Sequence, residues 1–403
     1  MLSRRFFLKS VATASAVAAL PATQLHAGSL SNSKDSNQDE LYWQQVRAQY
    51  ELPSDIIQLE NGNWGVMSQP VMAAYIRHTF KVNRDSSYYS RREFGTDYIN
   101  IRRQVADLLG AEPEEIALAR GASEVLTNLI TGYRHLNKGD AALYADVDYD
   151  SMQSSMDALQ HKGVKLIRLT LPERATQEEY VAVYRQALEQ HPKIKLVLLT
   201  HLSHRHGQIL PIKELTALCK QYGADCIIDA AHSWGQLDFK VSDLEADFIG
   251  FNLHKWLGAP LGVGVMYIRK TRLHDIAPAT GEPDSSKDRI QSRIHTGTFN
   301  YAAWLTVPEA LQFHHIIGAQ RKAARLAYLR QYWNEAVRPL KAIQLLTLTD
   351  KESAAGIHSF RIAGNYSTEA NKAIAAKLYD NFGIFTVHRN GLHNGSCVRV
   401  TPS

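Results

Sequence analysis

The sequence predicts an α/β fold with a mostly parallel, seven-stranded sheet covered by helices and joined to a smaller α+β domain. From about residue 100, short β-branched or aliphatic segments alternate with helix-like segments, which is typical of a parallel sheet with helices on both faces. The 403 residues are 45% hydrophobic, which is enough for two domains. After Trp304 the pattern changes to long helices followed by short strands.

The strands of the large sheet are predicted from their length and composition. They are expected at residues 116–119, 141–147, 165–171, 195–202, 225–230, 247–252 and 263–269. The clearest helices are 123–135 and 212–222, in which apolar residues recur at three- and four-residue spacing. In the C-terminal part we expect helices at 308–317 and 321–337 and strands at 358–362, 384–388 and 397–401. We therefore assign residues 65–303 to the large domain, and residues 41–64 with 304–403 to the small one.

The N-terminus has the composition of an export signal. Arg4 and Arg5 precede a short apolar stretch, residues 10–20, and a small-residue end at residue 27. The stretch is too short to span a bilayer, so we expect no stable membrane insertion. We predict a twin-arginine signal peptide over residues 1–27, recognised by the twin-arginine (Tat) export machinery, and a periplasmic location; a basic terminus with a chance arginine pair is the alternative. Residues 28–40 are polar and aperiodic, as in a flexible linker.

Charge and cysteine content narrow the classes of partner. Without the first 27 residues the chain has 42 basic and 40 acidic side chains, which gives no indication of nucleic-acid binding. Cys219, Cys226 and Cys397 are isolated from one another in apolar or helical segments. We therefore expect three buried thiols and predict neither a zinc site nor a disulfide framework.

Lys255 is the first candidate for chemistry. It follows a strand-like run and precedes an apolar, glycine-rich loop, residues 256–264, that leads into another strand. An amine desolvated there has a lowered pKa and becomes the nucleophile that a Schiff base requires. Most lysines are solvated surface charges, so the prediction depends on the residues around Lys255 in the fold.

Two further segments supply what a pyridine-based cofactor needs. Asp229 ends the strand-like run 225–229, where a carboxylate can pair with a pyridinium nitrogen; a helix N-cap is the alternative. Gly121 and Ser123 lie between a strand and a helix. Backbone N–H groups and a hydroxyl at that helix N-terminus form a phosphate site, although a serine there is often only a cap. In chain order these are a phosphate site, a strand-end aspartate and a lysine.

Residues 55–401 resemble the class V aminotransferase-fold family of pyridoxal 5′-phosphate (PLP) enzymes, which includes cysteine desulfurases and isopenicillin N epimerase-like proteins. The specific matches are DAAHSWG at 229–235, NLHKW at 252–256 and GVGV at 262–265, and the second is closer to the epimerase-like branch. The resemblance implies a fold-type I architecture, PLP as cofactor, a small-molecule amino acid or amine substrate and a homodimer.

The resemblance also implies a set of site residues. Lys255 is implied as the Schiff-base lysine, Asp229 as the pyridinium partner and His232 as a neighbour of the cofactor phenolate. The other implied cofactor contacts are Gly121, Ala122, Ser123, Tyr149, His204, Asn252 and His254, together with Thr298 from the neighbouring subunit. Arg399 is implied as the receptor of a substrate carboxylate, for which a bidentate guanidinium is suited; a surface ion pair is the alternative.

Departures from the family pattern keep several functions open. His204 replaces an Asn or Ser; with His201 and His206 it could form a metal cluster, although hydrogen-bonded histidines are commoner and we predict no metal. Cys397 is in a strand, unlike the loop cysteine of a desulfurase, and relatives continue past Ser403, so this form is natively short or truncated. We predict chemistry at Cα, by an epimerase or aminotransferase. The alternatives are a C–S lyase or desulfurase and a non-catalytic binding protein.

Overall fold

The computed structural model describes residues 39–348, 350 and 352–402. The predicted signal peptide, residues 1–27, and the linker up to residue 38 lie outside the described residues. Within the described part, no helix is both long and apolar enough to cross a membrane.

The strands and helices that the sequence predicts are present in the predicted order, together with others that it did not predict. The strands are β1 (Ile57–Gln58), β2 (Ile116–Ala119), β3 (Ala141–Ala145), β4 (Lys165–Leu169), β5 (Ile194–Thr200), β6 (Asp225–Asp229), β7 (Phe248–Asn252), β8 (Gly264–Ile268), β9 (Ile343–Leu345), β10 (His358–Ile362), β11 (Ile384–Phe385), β12 (Val387–Arg389) and β13 (Cys397–Val400). The helices are α1 (Glu40–Arg47), α2 (Gln69–Arg92), α3 (Phe94–Leu109), α4 (Ala122–Gly132), α5 (Asp150–Asp157), α6 (Gln177–Gln190), α7 (Ile212–Gln221), α8 (Val241–Leu244), α9 (Tyr301–Leu305), α10 (Val307–Ile317), α11 (Ala319–Val337) and α12 (Thr368–Phe382). Short 3-10 turns lie at Pro113–Glu115, Ala158–Lys162, Lys270–Asp275, Asp284–Ser286 and Ile290–Arg293.

The large sheet has seven strands in the order β2-β8-β7-β6-β5-β3-β4. All neighbours are parallel except β8, which is antiparallel to both β2 and β7. Every predicted strand of this sheet is present, so the predicted mostly parallel seven-stranded sheet is confirmed. Its central strands are buried along their length, as expected for a sheet with helices on both faces.

The strand ends place the candidate residues at one edge of this sheet. Because β2, β5, β6 and β7 run in the same direction, their carboxyl ends meet there, and ligands of open α/β sheets bind at such an edge. Helix α4 begins directly after β2 and packs its apolar face, including Leu126 and Leu129, against the sheet. Gly250 permits this approach, because a Cβ atom there would lie 2.8 Å from Leu126 Cγ.

The C-terminal strands form a second, antiparallel sheet in the order β12-β13-β10-β9, against which α12 packs. The N-terminal segment joins it, since β1 pairs with β11 and Glu60 forms a bridge with Thr401. The predicted strand at 384–388 is wrong in one respect: it is two strands, β11 and β12, which separate at buried Thr386 and pair with different partners. The domain boundaries at 64/65 and 303/304 stay predictions.

Candidate active site

A cavity of about 830 Å³ opens at the carboxyl edge of the large sheet. Its lining combines the strand ends, the β7–β8 connection and two segments from outside the sheet, residues 58–66 and 385–390. Of the residues predicted from the sequence, the following line it: Gly121, Ala122, Ser123, Tyr149, His204, Asp229, His232, Asn252, His254, Lys255 and Arg399. Its volume is that of a pocket for a cofactor or a drug-sized molecule.

The start of α4, where the phosphate site is predicted, lies in the lining of this cavity. The Ala122 N–H donates to Asn252 Oδ1 over 2.8 Å, which ties the helix start to the end of β7. The start of β8 is very close, since a Cβ atom on Gly264 would lie 2.5 Å from Gly121 Cα. His254 lies beside this site, and its Nδ1 is 3.0 Å from the carbonyl oxygen of Val263. A carbonyl only accepts, so Nδ1 carries a proton and Nε2 is left for a ligand.

Asp229 provides a buried carboxylate at the end of β6. Its Oδ1 accepts the Ala231 N–H at 2.9 Å, and burial raises its pKa while the charge of Lys255 opposes that rise. Nearby, buried Asp148 accepts the Thr200 hydroxyl over 2.6 Å, and burial raises its pKa to about 7. Such a site favours a cationic N–H partner for Asp229, because that partner compensates the buried negative charge.

Lys255 lies in the β7–β8 connection and contacts His232. The distance from Lys255 Nζ to His232 Nε2 is 2.8 Å, and the other ring nitrogen of His232 accepts the indole N–H of Trp256 over 3.3 Å. Burial lowers the pKa of Lys255 to about 8, against the raising effect of Asp229. Burial and the Lys255 charge hold the pKa of His232 well below its ordinary value. The site therefore pairs a neutral imidazole with an amine whose pKa is lowered towards neutral pH, which makes its free-base form more accessible than that of an exposed lysine.

An aromatic layer lies beside this pair. The rings of His204 and His232 are stacked, with centroids 6.2 Å apart, and Tyr149 meets His204 edge-on at 5.3 Å. Burial, with nearby arginine charges, keeps the pKa of His204 well below its ordinary value. The predicted places of Tyr149 and His204 next to the cofactor are compatible with this geometry and stay predictions.

Arg399 is buried, so the surface ion pair considered from the sequence is excluded. Its Nη2 lies 2.5 Å from Glu60 Oε1, and its Nη1 donates to the His204 carbonyl at 2.8 Å. Arg389 shares the same Glu60 oxygen at 3.3 Å. Two guanidinium groups thus share one carboxylate, and Nε of each is buried without a hydrogen-bond partner among the described residues. This unbalanced positive charge suits a carboxylate ligand.

Three predicted features lie elsewhere or are used differently. Thr298 is exposed and is not part of the cavity lining, so its predicted role across a subunit boundary remains a prediction. His206 Nδ1 is 2.8 Å from Ser203 Oγ, and the His201 ring packs edge-on against Phe239. Within the residues that the structure describes, no group of three or more His, Cys, Asp or Glu side chains is arranged to hold a metal ion.

The three cysteines are free and buried, as predicted. Burial raises the pKa of Cys397 to about 11, which leaves almost no thiolate at neutral pH. No cysteine lines the cavity in the described part of the chain.

The cavity residues that the sequence analysis missed include Glu60, Thr200, Arg205 and Arg389. Thr200 could have been found, because it ends the strand next to Asp229 and is its register partner. Arg205 donates to Asp150 and to the Asp148 carbonyl, and it connects the cavity wall to α5. The sequence around Glu60 and Arg389 carries no local pattern that indicates a site.

The residues fit PLP on structural grounds. A helix N-terminus is available to the phosphate, a buried carboxylate to the pyridinium nitrogen and an amine of lowered pKa to the aldehyde. Asn252 and the glycines at 121 and 264 give the phosphate site its close backbone packing.

This chain is similar to known proteins over most of its length. The aminotransferase class-V family profile matches residues 66–393. Isopenicillin N epimerase of Streptomyces clavuligerus is 24% identical over 337 residues, which cover 79% of this chain and 84% of that protein. Putative L-cysteine desulfhydrase 1 of Oryza sativa subsp. japonica is 29% identical over 291 residues, covering 67% of this chain and 59% of that protein.

Solved structures show the same fold. A C-DES variant with glycine covalently linked to its PLP cofactor superposes with a TM-score of 0.77 at 22% identity, over 88% of this chain and 94% of that one. The apo cysteine desulfurase from Thermococcus onnurineus NA1 gives a TM-score of 0.76 at 23% identity, over 89% and 92% of the two chains. The fold-type I architecture predicted from the sequence is therefore confirmed.

Proposed function

We propose that this chain, which belongs to the aminotransferase class-V family and has PLP as its cofactor, acts at the Cα atom of an α-amino acid by epimerisation or amino transfer. The observation that supports this most directly is the lining of one cavity by Lys255, Asp229 and Arg399. They supply an amine, a carboxylate and a guanidinium, which are the groups that Cα chemistry on an amino acid requires.

Each residue has a defined task in this proposal. PLP, when bound, supplies the electron sink that makes the Cα proton removable. The Lys255 amine removes that proton and can return it, since its pKa of about 8 is close to neutral pH. Asp229 would keep the pyridine nitrogen of the cofactor protonated, and Arg399 would orient the substrate by binding the substrate carboxylate. Reprotonation at Cα gives epimerisation, whereas proton delivery elsewhere gives amino transfer.

A C–S lyase is the second candidate. It begins with the same removal of the Cα proton and ends with loss of a sulfur group from Cβ, so the same residues serve it. The similarity to the rice protein named as a putative L-cysteine desulfhydrase supports it. A desulfurase that forms a persulfide on a mobile cysteine has less support, because Cys397 is buried and its pKa is raised to about 11.

The test is a panel of L-amino acids, including cysteine, incubated with the PLP-loaded protein in deuterated water. Loss of the Cα proton signal in NMR identifies substrates whatever the product. A D-enantiomer indicates epimerisation, a keto acid without sulfide indicates amino transfer, and sulfide with pyruvate indicates the lyase. Lys255→Ala should abolish exchange and the borohydride-reducible link to the cofactor. Tight PLP binding with no exchange for any amino acid would establish a non-catalytic binding protein instead.

We also propose a homodimer in which the partner subunit's Thr298 reaches the phosphate. An exposed apolar row on α2, formed by Met72, Ile76 and Phe80, supports an interface, since such rows are uncommon on monomers. Light scattering should give twice the chain mass. Thr298→Ala should weaken PLP binding, and a monomer with full PLP affinity would refute the proposal.

We also propose that this protein is exported to the periplasm by the twin-arginine route. The basic segment, apolar stretch and small-residue end of residues 1–27 support it. Cell fractionation should find the wild type in the periplasm and the Arg4→Lys/Arg5→Lys variant in the cytoplasm. An identical cytoplasmic location for both proteins would contradict it.

A further inference from the structure

An indole N–H determines which nitrogen of His232 carries the proton. Trp256 Nε1 lies 3.3 Å from His232 Nδ1, and both side chains are buried. An indole nitrogen can only donate a hydrogen bond. His232 Nδ1 must therefore be the acceptor and carries no proton in this arrangement.

The tautomer of His232 affects the protonation state of Lys255. A neutral imidazole has one ring proton, so the proton of His232 is on Nε2. Nε2 is 2.8 Å from Lys255 Nζ and donates to it, which requires a lone pair on Nζ. An ammonium group has no lone pair and would oppose one N–H donor to another. The arrangement is therefore compatible with Lys255 only as a free amine.

We propose that Trp256 is a positioning residue: its indole N–H fixes the tautomer of His232, and that tautomer holds Lys255 as the free amine. A free amine is the form in which a lysine is nucleophilic. The proposal depends on the proposed function only for the use that is made of Lys255, because the tautomer is a property of the protein without cofactor.

The loop that carries Trp256 is held from two sides. Lys322 Nζ donates to the Trp256 carbonyl. Gly235, with φ of +89°, passes so close that a Cβ atom there would lie 2.8 Å from the Trp256 carbonyl carbon. The indole therefore has little freedom to turn away from His232.

Other charged side chains around Lys255 change its pKa without contacting Nζ. Asp229 and Glu60 favour its protonated form, while Arg399 and Arg389 oppose it. The ring of His204 stacks on His232 and is itself buried and neutral. Among the described residues, His232 Nε2 is the group that makes a hydrogen bond to Lys255 Nζ. The tautomer of His232 therefore acts directly on the protonation state of Lys255, which the more distant charges do not.

Trp256→Phe tests the proposal, because it keeps an aromatic ring and removes the N–H. In the full-length apoprotein labelled with ¹⁵N-histidine, long-range ¹H–¹⁵N correlation should show His232 with its proton on Nε2. The variant should show a mixture of tautomers. The rate at which the apoprotein captures added PLP should rise with pH, and its midpoint should move up by roughly half to one pH unit in Trp256→Phe, the equivalent of one hydrogen bond.

A second background separates this role from general packing. His232→Gln supplies an amide donor that has no tautomers, so adding Trp256→Phe to it should not move the midpoint. Trp304→Phe is the matched control, since the Trp304 Nε1 is buried without a hydrogen-bond partner among the described residues. A proton on Nδ1 in the wild type, or an equal shift in the His232→Gln background, would overturn the proposal. Both readouts use the apoprotein, so failure of catalysis in the amino acid panel leaves them unaffected.

Discussion

Substitution of Gly62 by alanine should disable substrate recognition without touching any group that does chemistry. A Cβ atom at this position would lie 2.7 Å from Nη2, 2.8 Å from Cζ and 3.1 Å from Nη1 of Arg399. Ordinary contacts between such atoms are about 3.5 to 4 Å, so the guanidinium must move by roughly 1 Å. Such a movement disturbs the contacts of Nη2 with Glu60, at 2.5 Å, and of Nη1 with the His204 carbonyl, at 2.8 Å.

The expected loss is about 100-fold in kcat/KM, the usual effect of a misplacement of roughly 1 Å in a positioning group. It should be measured as Cα exchange in deuterated water for the best amino acid of the panel. The corresponding amine without a carboxylate should be processed equally by wild type and Gly62→Ala, because it makes no use of Arg399.

Gly95→Ala is the matched control, since Gly95 is exposed in helix α3 and nothing lies within 4 Å of its Cβ position. It should leave kcat/KM unchanged. If Gly62→Ala keeps wild-type kcat/KM while Arg399→Lys lowers it, or if amino acid and amine lose equally, the reasoning is refuted.

Three further predictions concern other parts of the site and its support. PLP binding should be accompanied by proton uptake at His254, because Nδ1 already donates to the Val263 carbonyl and Nε2 needs a second proton to donate to a phosphate. Calorimetry in buffers of different ionisation enthalpy should detect this uptake, and His254→Asn should remove it. Cys397→Ala should retain Cα exchange, and iodoacetamide should not label Cys397 in the native protein, since burial raises its pKa to about 11; rapid labelling with loss of activity would contradict this. Glu173→Gln should lower the free energy of unfolding by about 3 kcal/mol at pH 7, because it breaks an ion pair in which buried Arg361 makes two contacts of 2.7 Å with partly buried Glu173. Burial alone would raise the pKa of Glu173, but Arg361 lowers it below the ordinary value, so the stabilisation is complete above pH of about 4.3 and is lost as pH falls through the folded-state pKa. Urea titrations of wild type and variant at several pH values should therefore converge in acid.

Much of the large sheet follows from local pattern. Its strands are short, apolar and regularly interrupted by helices, and a buried parallel strand has this composition wherever it occurs. The boundaries differ by a few residues; the helix predicted to end at His135 ends at Gly132, because Tyr133 leaves the helix in an extended conformation and bridges to Ile276. That contact is 143 residues away in the chain and is invisible to periodicity.

The small sheet was predicted less well for the same physical reason. Residues 384–388 are uniformly suited to a strand, and nothing in them indicates a break. Their pairing with β1 on one side of Thr386 and with β13 on the other divides the run. Strand composition reports how a residue fits a pleated surface, and the choice of partner belongs to the assembled chain.

The sequence by itself determined the residues whose role depends on where they lie along a strand or loop. Asp229 follows from a strand end, Ser123 from a helix start and Lys255 from an apolar glycine-rich connection, and parallel strands bring such ends together at one edge. The tertiary structure alone decided the contacts between distant segments. Glu60 meets Arg399 across 339 residues, and His232 meets Trp256 across 24. Hydrogen bonds and charge pairs are set by distance in space, so they become visible only once the chain has folded.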